Sequence, residues 1–389
     1  MKKIFLSLFA VLAVACGTPK DRFVIEGRVP SLPDSTMLLL DRFEGNLLQT
    51  VDTAYVIDGR FSFQYPLEEK ELIVILGRSD DLPSMFLKIW AEPGKKATIR
   101  GENNLLYTWS VQSPVTEQRE SEYFKQANKE EWDEYQRIGL QVDPLFDARA
   151  AASGEERNRI AEQITSLRSQ QDSIMQRIYD IKLTLLAQRE FSSIFFEELN
   201  GISMMIFHYP DRYGFLKERA IEQYERLPDE LKNSPEGNDI RIHLFPPVKV
   251  DTGDRMADAT LPDLDGKMHS ISDYLGKYIL LDFWSAGCGP CIMAMPELGE
   301  VAEALKEKLT IIGLSSDPNS AWKESSEKYN VTWVNLNTST DPELNARYGV
   351  SAIPHQVIIS PEGIVLGSWT GYGKGHIREQ LKNYISGLE

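Results

Sequence analysis

Cysteine is scarce in this sequence. The 389 residues include three cysteines, which are Cys16, Cys288 and Cys291. Cys16 follows an apolar N-terminal run, and the other two are separated by only two residues. No pair therefore remains for a structural disulfide between distant segments. The thiol chemistry of the folded chain is confined to a single C-x-x-C motif.

An excess of basic residues is also missing. The formal net charge is −16, from 42 Lys and Arg against 58 Asp and Glu. This balance argues against nucleic-acid binding and against electrostatic docking on an anionic membrane. Structural zinc needs four ligands, and the C-x-x-C motif supplies two. We predict no metal, because the histidines are scattered at His208, His243, His269, His355 and His376.

Long apolar segments are absent after the first residues. Lys2 and Lys3 precede an apolar run over residues 4–14, which is too short to span a bilayer. Small residues and Cys16 follow, as in a bacterial lipobox. We predict that residues 1–16 form a lipoprotein signal peptide and that lipidated Cys16 anchors an exported chain in the cell envelope, facing the periplasm. The alternative is an ordinary signal peptide that is cleaved near Cys16.

Residues 21–115 have the pattern of an all-β domain. Apolar stretches alternate with turn signals, and Asp58-Gly59 is typical of a tight hairpin turn. The pattern predicts a small β-sandwich or barrel. Gly27, residues 52–54 and residues 58–63 resemble the β domain of unknown function, of the DUF4369 type, that precedes thioredoxin-like domains in Bacteroidetes-type lipoproteins.

Residues 116–245 are predicted to be helical, because glycine and proline are sparse and charges are dense. Residues 211–231 are predicted to form one further helix, and residues 234–238 are predicted to end it. A stripe of apolar residues on one long helix skips a single position, Gln171. The stripe either packs against helices of the same chain or forms the seam of a homodimer. Its members are Ile160, Ile164, Leu167, Ile174, Ile178, Ile181 and Leu185.

Residues 246–253 contain two prolines and are predicted to link the helical region to an α/β domain over residues 254–389. In that domain a buried strand leads into the C-x-x-C motif, and a helix begins directly after it. Cys288 therefore lies at a helix N-terminus, where unpaired N–H groups and the helix dipole favour a thiolate. Cys291 lies one turn further inward. The arrangement predicts that Cys288 attacks a disulfide and that Cys291 resolves the mixed disulfide.

Several motifs in this α/β domain resemble the thioredoxin family. Residues 279–291 read ILLDFWSAGCGPC, Pro296 matches the helix-kinking proline of the family, and Ile353-Pro354 matches its cis-proline, followed by a turn at residues 361–363. The opening hairpin and the long gap before Pro354 resemble the membrane-associated TlpA/ResA-like branch. The resemblance implies an enzyme that reduces protein disulfides through a redox-active disulfide, receives electrons from another thiol protein and needs no cofactor.

The resemblance also implies roles for individual site residues. Asp282 would take up the proton of Cys291; the alternative is a strand-edge aspartate with a local hydrogen bond. Pro354 would be a catalytic cis-proline that leaves the backbone of Ile353 free to pair with a substrate strand. The residues predicted to contact substrate are Trp284, Gly289, Pro290 and Ile353, and Trp284 is also expected to shield the site by packing.

Two positions depart from the family pattern. Gly287 stands where the family usually has Trp, which leaves the choice of substrate open. His355 follows the cis-proline where Thr is common. It either faces Cys288 and tunes the thiolate or lies on the surface rim.

Two other functions remain open at this point. A peroxidase of the peroxiredoxin class would need a peroxide-reactive cysteine in a different loop. A lipid-anchored binding module would use its β domain to capture a partner, with the redox domain as an accessory. Oxidase or isomerase action is also compatible with the motif.

Overall fold

A computed structural model describes residues 20–44, 47–341 and 343–386 of the chain. The predicted signal peptide, residues 1–16, and the predicted lipidation site Cys16 lie outside the described residues. None of the helices in the described ranges has both the length and the hydrophobicity needed to cross a membrane.

The chain divides into two compact units. The first consists of Met1–Arg42 with Gln49–Ile178, and the second of Phe43–Leu48 with Tyr179–Glu389. Compactness alone does not define functional domains, so the predicted limits at residues 115, 245 and 253 stay predictions.

The N-terminal strands form a sandwich of two four-stranded sheets. They are β1 (Arg22–Arg28), β2 (Met37–Glu44), β3 (Leu47–Tyr55), β4 (Arg60–Pro66), β5 (Glu71–Arg78), β6 (Phe86–Ala91), β7 (Lys96–Arg100) and β8 (Ser110–Gln112). One sheet has the order β4-β1-β7-β8 and the other β3-β2-β5-β6. Alternate residues of both sheets, such as Ile25 and Ile75, share one buried core. The predicted hairpin turn is present, with Asp58 and Gly59 both at positive φ.

The apolar stripe lies on one long helix, and four of its seven residues are buried within the described part of the chain. The helices that follow the sandwich are α1 (Thr116–Ala127), α2 (Lys129–Ala151) and α3 (Gly154–Leu186). Ile160, Ile164 and Ile178 on α3 are buried in one cluster with Trp132 and Val142 on α2. Packing within the chain therefore accounts for these stripe residues, and they offer no free seam for the homodimer.

The next helices correct one prediction. They are α4 (Ser193–His208), α5 (Pro210–Tyr213), α6 (Lys217–Glu225), α7 (Asp229–Lys232) and α8 (Pro235–Leu244). The single helix predicted over residues 211–231 is wrong, because a 3-10 turn at Gly214–Leu216 and Pro228 divide that segment. Residues 234–238 begin a helix, since the Ser234 hydroxyl accepts the N–H of Gly237 at 3.1 Å.

The C-terminal part of the second unit is an α/β fold around a five-stranded sheet. Its elements are β9 (Thr260–Pro262), β10 (Met268–Ser270), β11 (Tyr278–Phe283), α9 (Gly289–Ala304), β12 (Leu309–Ser315), α10 (Asn319–Lys328), β13 (Val334–Asn337), α11 (Leu344–Arg347), β14 (His355–Ile359), β15 (Val365–Thr370) and α12 (His376–Leu381). The sheet order is β13-β12-β11-β14-β15; β11, β12 and β13 are parallel, and β14 runs antiparallel to both of its neighbours, β11 and β15. Leu280 packs with α9 on one sheet face, whereas Leu281 belongs to the core on the other.

These observations confirm the predicted fold class of a β-sandwich, a helical middle and a thioredoxin-like α/β fold. The last helix of this fold in the described residues is α12, which ends at Leu381. Residues 246–253 contain no helix or strand, and all of them are described. The remaining 3-10 turns are Leu106–Thr108, Ile271–Tyr274 and Thr338–Thr340.

Candidate active site

The C-x-x-C motif lies where the central strand β11 is followed by α9. Cys288 is the N-cap of that helix, and its Sγ accepts the backbone N–H of Cys291 at 3.1 Å. Pro290 lies in the first helical turn. Backbone N–H groups in that turn have no acceptor within the helix, so the N–H that proline lacks costs no hydrogen bond. Cys288 and Cys291 are joined in a disulfide. The helix start therefore directs an N–H donor at the sulfur of Cys288.

The two sulfurs differ in their access to solvent. Cys288 is partly exposed and is followed by exposed Gly289 and Pro290. Cys291 is 2% exposed and packs in a cluster with Trp322 and Met295. A bulky reaction partner can therefore reach Cys288 but not Cys291. In the described ranges, no three His, Cys, Asp or Glu side chains are grouped to hold a metal ion.

A buried carboxylate holds the loop that leads to Cys288. The Ser285 hydroxyl donates to Asp317 at 2.8 Å, and the backbone N–H of Ala286 donates to its other oxygen at 2.7 Å. Ser315 donates to the same carboxylate at 2.9 Å. The local sequence did not indicate Asp317, because its partners in the loop are about thirty residues away.

A buried amide orients two tryptophans that pack in one cluster with Cys291. Asn335 Oδ1 accepts the indole N–H groups of Trp284 at 3.3 Å and Trp322 at 3.2 Å, and its Nδ2 donates to Ser326 at 2.8 Å. Trp284 is 3% exposed. The predicted substrate contact of Trp284 is therefore corrected, because the buried indole packs in the cluster with Cys291 and offers no surface to a protein.

Asp282 is buried in the centre of the sheet. It lies on β11 opposite Gln356 of β14, whose Nε2 donates to Asp282 Oδ1 at 2.5 Å. Burial raises the pKa of the Asp282 carboxyl to about 6, and the hydrogen bond from Gln356 opposes that rise. The alternative of a strand-edge aspartate is wrong, since β11 has neighbours on both sides.

The Ile353–Pro354 peptide bond is cis. Pro354 immediately precedes β14, whose first residue pairs with Phe283 at the end of β11. Pro354 is therefore at the same end of the sheet as the loop leading to Cys288. The Ile353 side chain is 37% exposed, whereas Pro354 is buried.

His355 is buried, and it lies on the face of the sheet opposite the face that α9 covers. It is 6% exposed and opposite Phe283, with the two rings 6.0 Å apart. Its Nδ1 and the Thr370 hydroxyl are 2.7 Å apart. Phe283 packs in the core of the face opposite α9, so both predictions for His355 fail. Burial, followed by the positive charge of Lys249, lowers the pKa of His355.

Comparison with known proteins gives the family. Residues 252–367 match the AhpC/TSA family, and residues 23–117 match a domain of unknown function, DUF4369. The thiol-disulfide oxidoreductase ResA of Geobacillus kaustophilus is 32% identical over 124 residues, which are 31% of this chain and 71% of the relative. This chain belongs to the ResA-like thiol–disulfide oxidoreductases. ResA of Bacillus thuringiensis subsp. konkukian is 30% identical over 139 residues, covering 35% of this chain and 78% of the relative.

A solved relative covers the same share of this oxidoreductase. It is the thioredoxin domain of a thiol-disulfide oxidoreductase from Bacteroides vulgatus, with 28% identity and a TM-score of 0.33, covering 35% of this chain and all of the other. The sequence comparisons confirm both resemblances described above, to the TlpA/ResA-like branch and to the N-terminal domain type.

Proposed function

We propose that the chain is a protein disulfide reductase with Cys288 as the attacking thiol. The Cys288 thiolate attacks one sulfur of a substrate disulfide, and the other sulfur leaves as a thiolate. Cys291 then attacks Cys288 Sγ, which closes the Cys288–Cys291 disulfide and releases the second substrate thiolate. The substrate gains two electrons from the cysteine pair, and another thiol protein then supplies two electrons that reduce the Cys288–Cys291 disulfide again.

One observation supports this assignment of roles above all others. The N–H of Cys291 points at the sulfur of Cys288, at a helix N-terminus whose dipole favours negative charge. The second sulfur is shielded from bulk solvent. The Cys288 sulfur is accessible and accepts a helix N–H, so it is suited to attack a large substrate. The Cys291 sulfur is buried, so it is suited to the intramolecular step that follows.

Asp282 is the proposed proton acceptor for the Cys291 thiol. With a pKa of about 6 it is largely ionised at neutral pH, yet it is basic enough to take up a proton inside the fold. The exposed Gly289, Pro290 and Ile353 are proposed to contact the substrate chain, with the cis-proline Pro354 leaving the backbone of Ile353 free to pair with it.

The proposed location rests on the resemblance of the first residues to a lipobox. A lipid on Cys16 would hold the chain at the membrane, and the redox domain would act in the periplasm. Reduction, rather than oxidation or isomerisation, is proposed from the Gly-Pro pair between the cysteines and its resemblance to the family.

Catalysis of insulin reduction by dithiothreitol tests the proposal. The wild-type chain should accelerate precipitation of the insulin chains, and Cys288→Ser and Cys291→Ser should each abolish the acceleration. Cys16→Ser is the matched control and should keep the wild-type rate. Peroxide consumption that depends on Cys288, without insulin reduction, would instead identify a peroxidase.

A further inference from the structure

We propose that Gln356 is a positioning residue that holds the Asp282 carboxyl group in both of its protonation states and sets the pH at which it takes up the Cys291 proton. This inference rests on the proposed function and deepens it. No family motif identified in the sequence includes residue 356.

The two side chains are held together by the register of the sheet. Asp282 and Gln356 are directly opposite on β11 and β14, so their side chains point to the same sheet face. Gln356 is fully buried and Asp282 is 2% exposed. In the described part of the chain, the Gln356 amide is the hydrogen-bond partner of this carboxyl, at 2.5 Å. Water cannot readily replace that partner.

The shared face is the one that α9 covers. Leu280 and Ile358 lie two residues from Asp282 and Gln356 along their strands, and both pack with Leu298 of α9. The amide–carboxyl pair is therefore between the sheet and the helix whose first turn contains Cys291. A proton leaving the inner sulfur has this carboxyl as an acceptor within the same covered layer.

An amide can serve both forms of the carboxyl group. The ionised form accepts the Nε2–H bond that is present. The protonated form needs an acceptor, and Gln356 Oε1 is buried without a hydrogen-bond partner among the described residues. Rotation of the amide about its last side-chain bond would present Oε1 to the new O–H. The step moves one proton from Cys291 Sγ to Asp282 and changes no oxidation state.

Substitution of the amide should change the titration of Asp282. Gln356→Met keeps the length of the side chain but removes the donor that favours the carboxylate. We expect the midpoint of the Asp282 titration to rise by about 1 pH unit, because the lost hydrogen bond stabilises the ionised carboxyl more than the protonated one. Gln356→Asn keeps a shorter amide and should give a smaller rise. Gln223→Met, which removes another buried glutamine, is the matched control and should leave the midpoint unchanged.

The experiment follows the ¹³C signal of the Asp282 carboxyl against pH in the full chain, together with the pH profile of insulin reduction. In Gln356→Met, the acid limb of the pH profile should shift to higher pH together with the carboxyl titration. The rate at high pH should approach that of the wild type. An unchanged Asp282 midpoint in both Gln356 variants would overturn the inference. Wild-type protein that does not reduce insulin would refute the proposed function, while the titration would still decide the role of Gln356.

Discussion

Asp282→Asn should stabilise the oxidised protein at about pH 8 but not at about pH 4. The folded-state pKa of Asp282 is raised from 3.8 to about 6 by burial. A carboxyl group whose pKa is raised by folding makes its full contribution to the free energy of unfolding below about pH 4, where it is protonated. That contribution is lost as the pH rises through about 6. A difference of about 2 pH units at 1.36 kcal/mol per unit gives about 3 kcal/mol.

The asparagine variant isolates this effect because it has nearly the same shape and carries no charge. Native-state hydrogen exchange of the amides of β11 and β14, as a function of denaturant, reports the opening free energy of this sheet separately from the rest of the chain. At about pH 8 the variant should exceed the wild type by about 3 kcal/mol, and at about pH 4 the two should agree. An equal difference at both pH values, or a less stable variant at about pH 8, would refute the reasoning.

Three further substitutions test the packing around the site and in the sandwich by denaturant unfolding. Glu297→Gln should cost about 1 kcal/mol, because this carboxylate accepts the N–H of Arg378 at 3.0 Å in the first turn of α12. Asp317→Ala should cost about 3 kcal/mol and slow the reaction of Cys288 with a disulfide reagent, because the preceding loop loses its anchor. Gly27→Ala should cost about 2 kcal/mol, since an added Cβ would lie 2.1 Å from the ring of Phe61, and should leave insulin reduction unchanged.

The parts of the site that could be predicted from the sequence are local. The helix that starts at the C-x-x-C motif follows from a buried strand, a glycine and a proline within a few residues. The tight turn at Asp58-Gly59 follows from two residues that tolerate positive φ. Such features depend on neighbours in the chain, so a short segment of sequence contains the whole signal.

The missed residues depend on contacts between distant segments. Gln356 contacts a carboxyl 74 residues earlier in the chain, and Asn335 accepts from an indole 51 residues earlier. No local pattern marks such a partner. His355 was misplaced for a related reason, because a position beside a loop suggests exposure, whereas β14 is covered on both faces. The break in the helix predicted over residues 211–231 is different, because Pro228 marks it in the local sequence.

The most direct test of the account is mass spectrometry of single-cysteine variants mixed with oxidised insulin, each in a Cys16→Ser background. Cys291→Ser should accumulate a mixed disulfide with an insulin chain through Cys288. Cys288→Ser should form little or none, because its remaining sulfur is 2% exposed. Equal adduct formation by the two variants, or an adduct on Cys291 alone, would contradict the assignment of Cys288 as the attacking thiol.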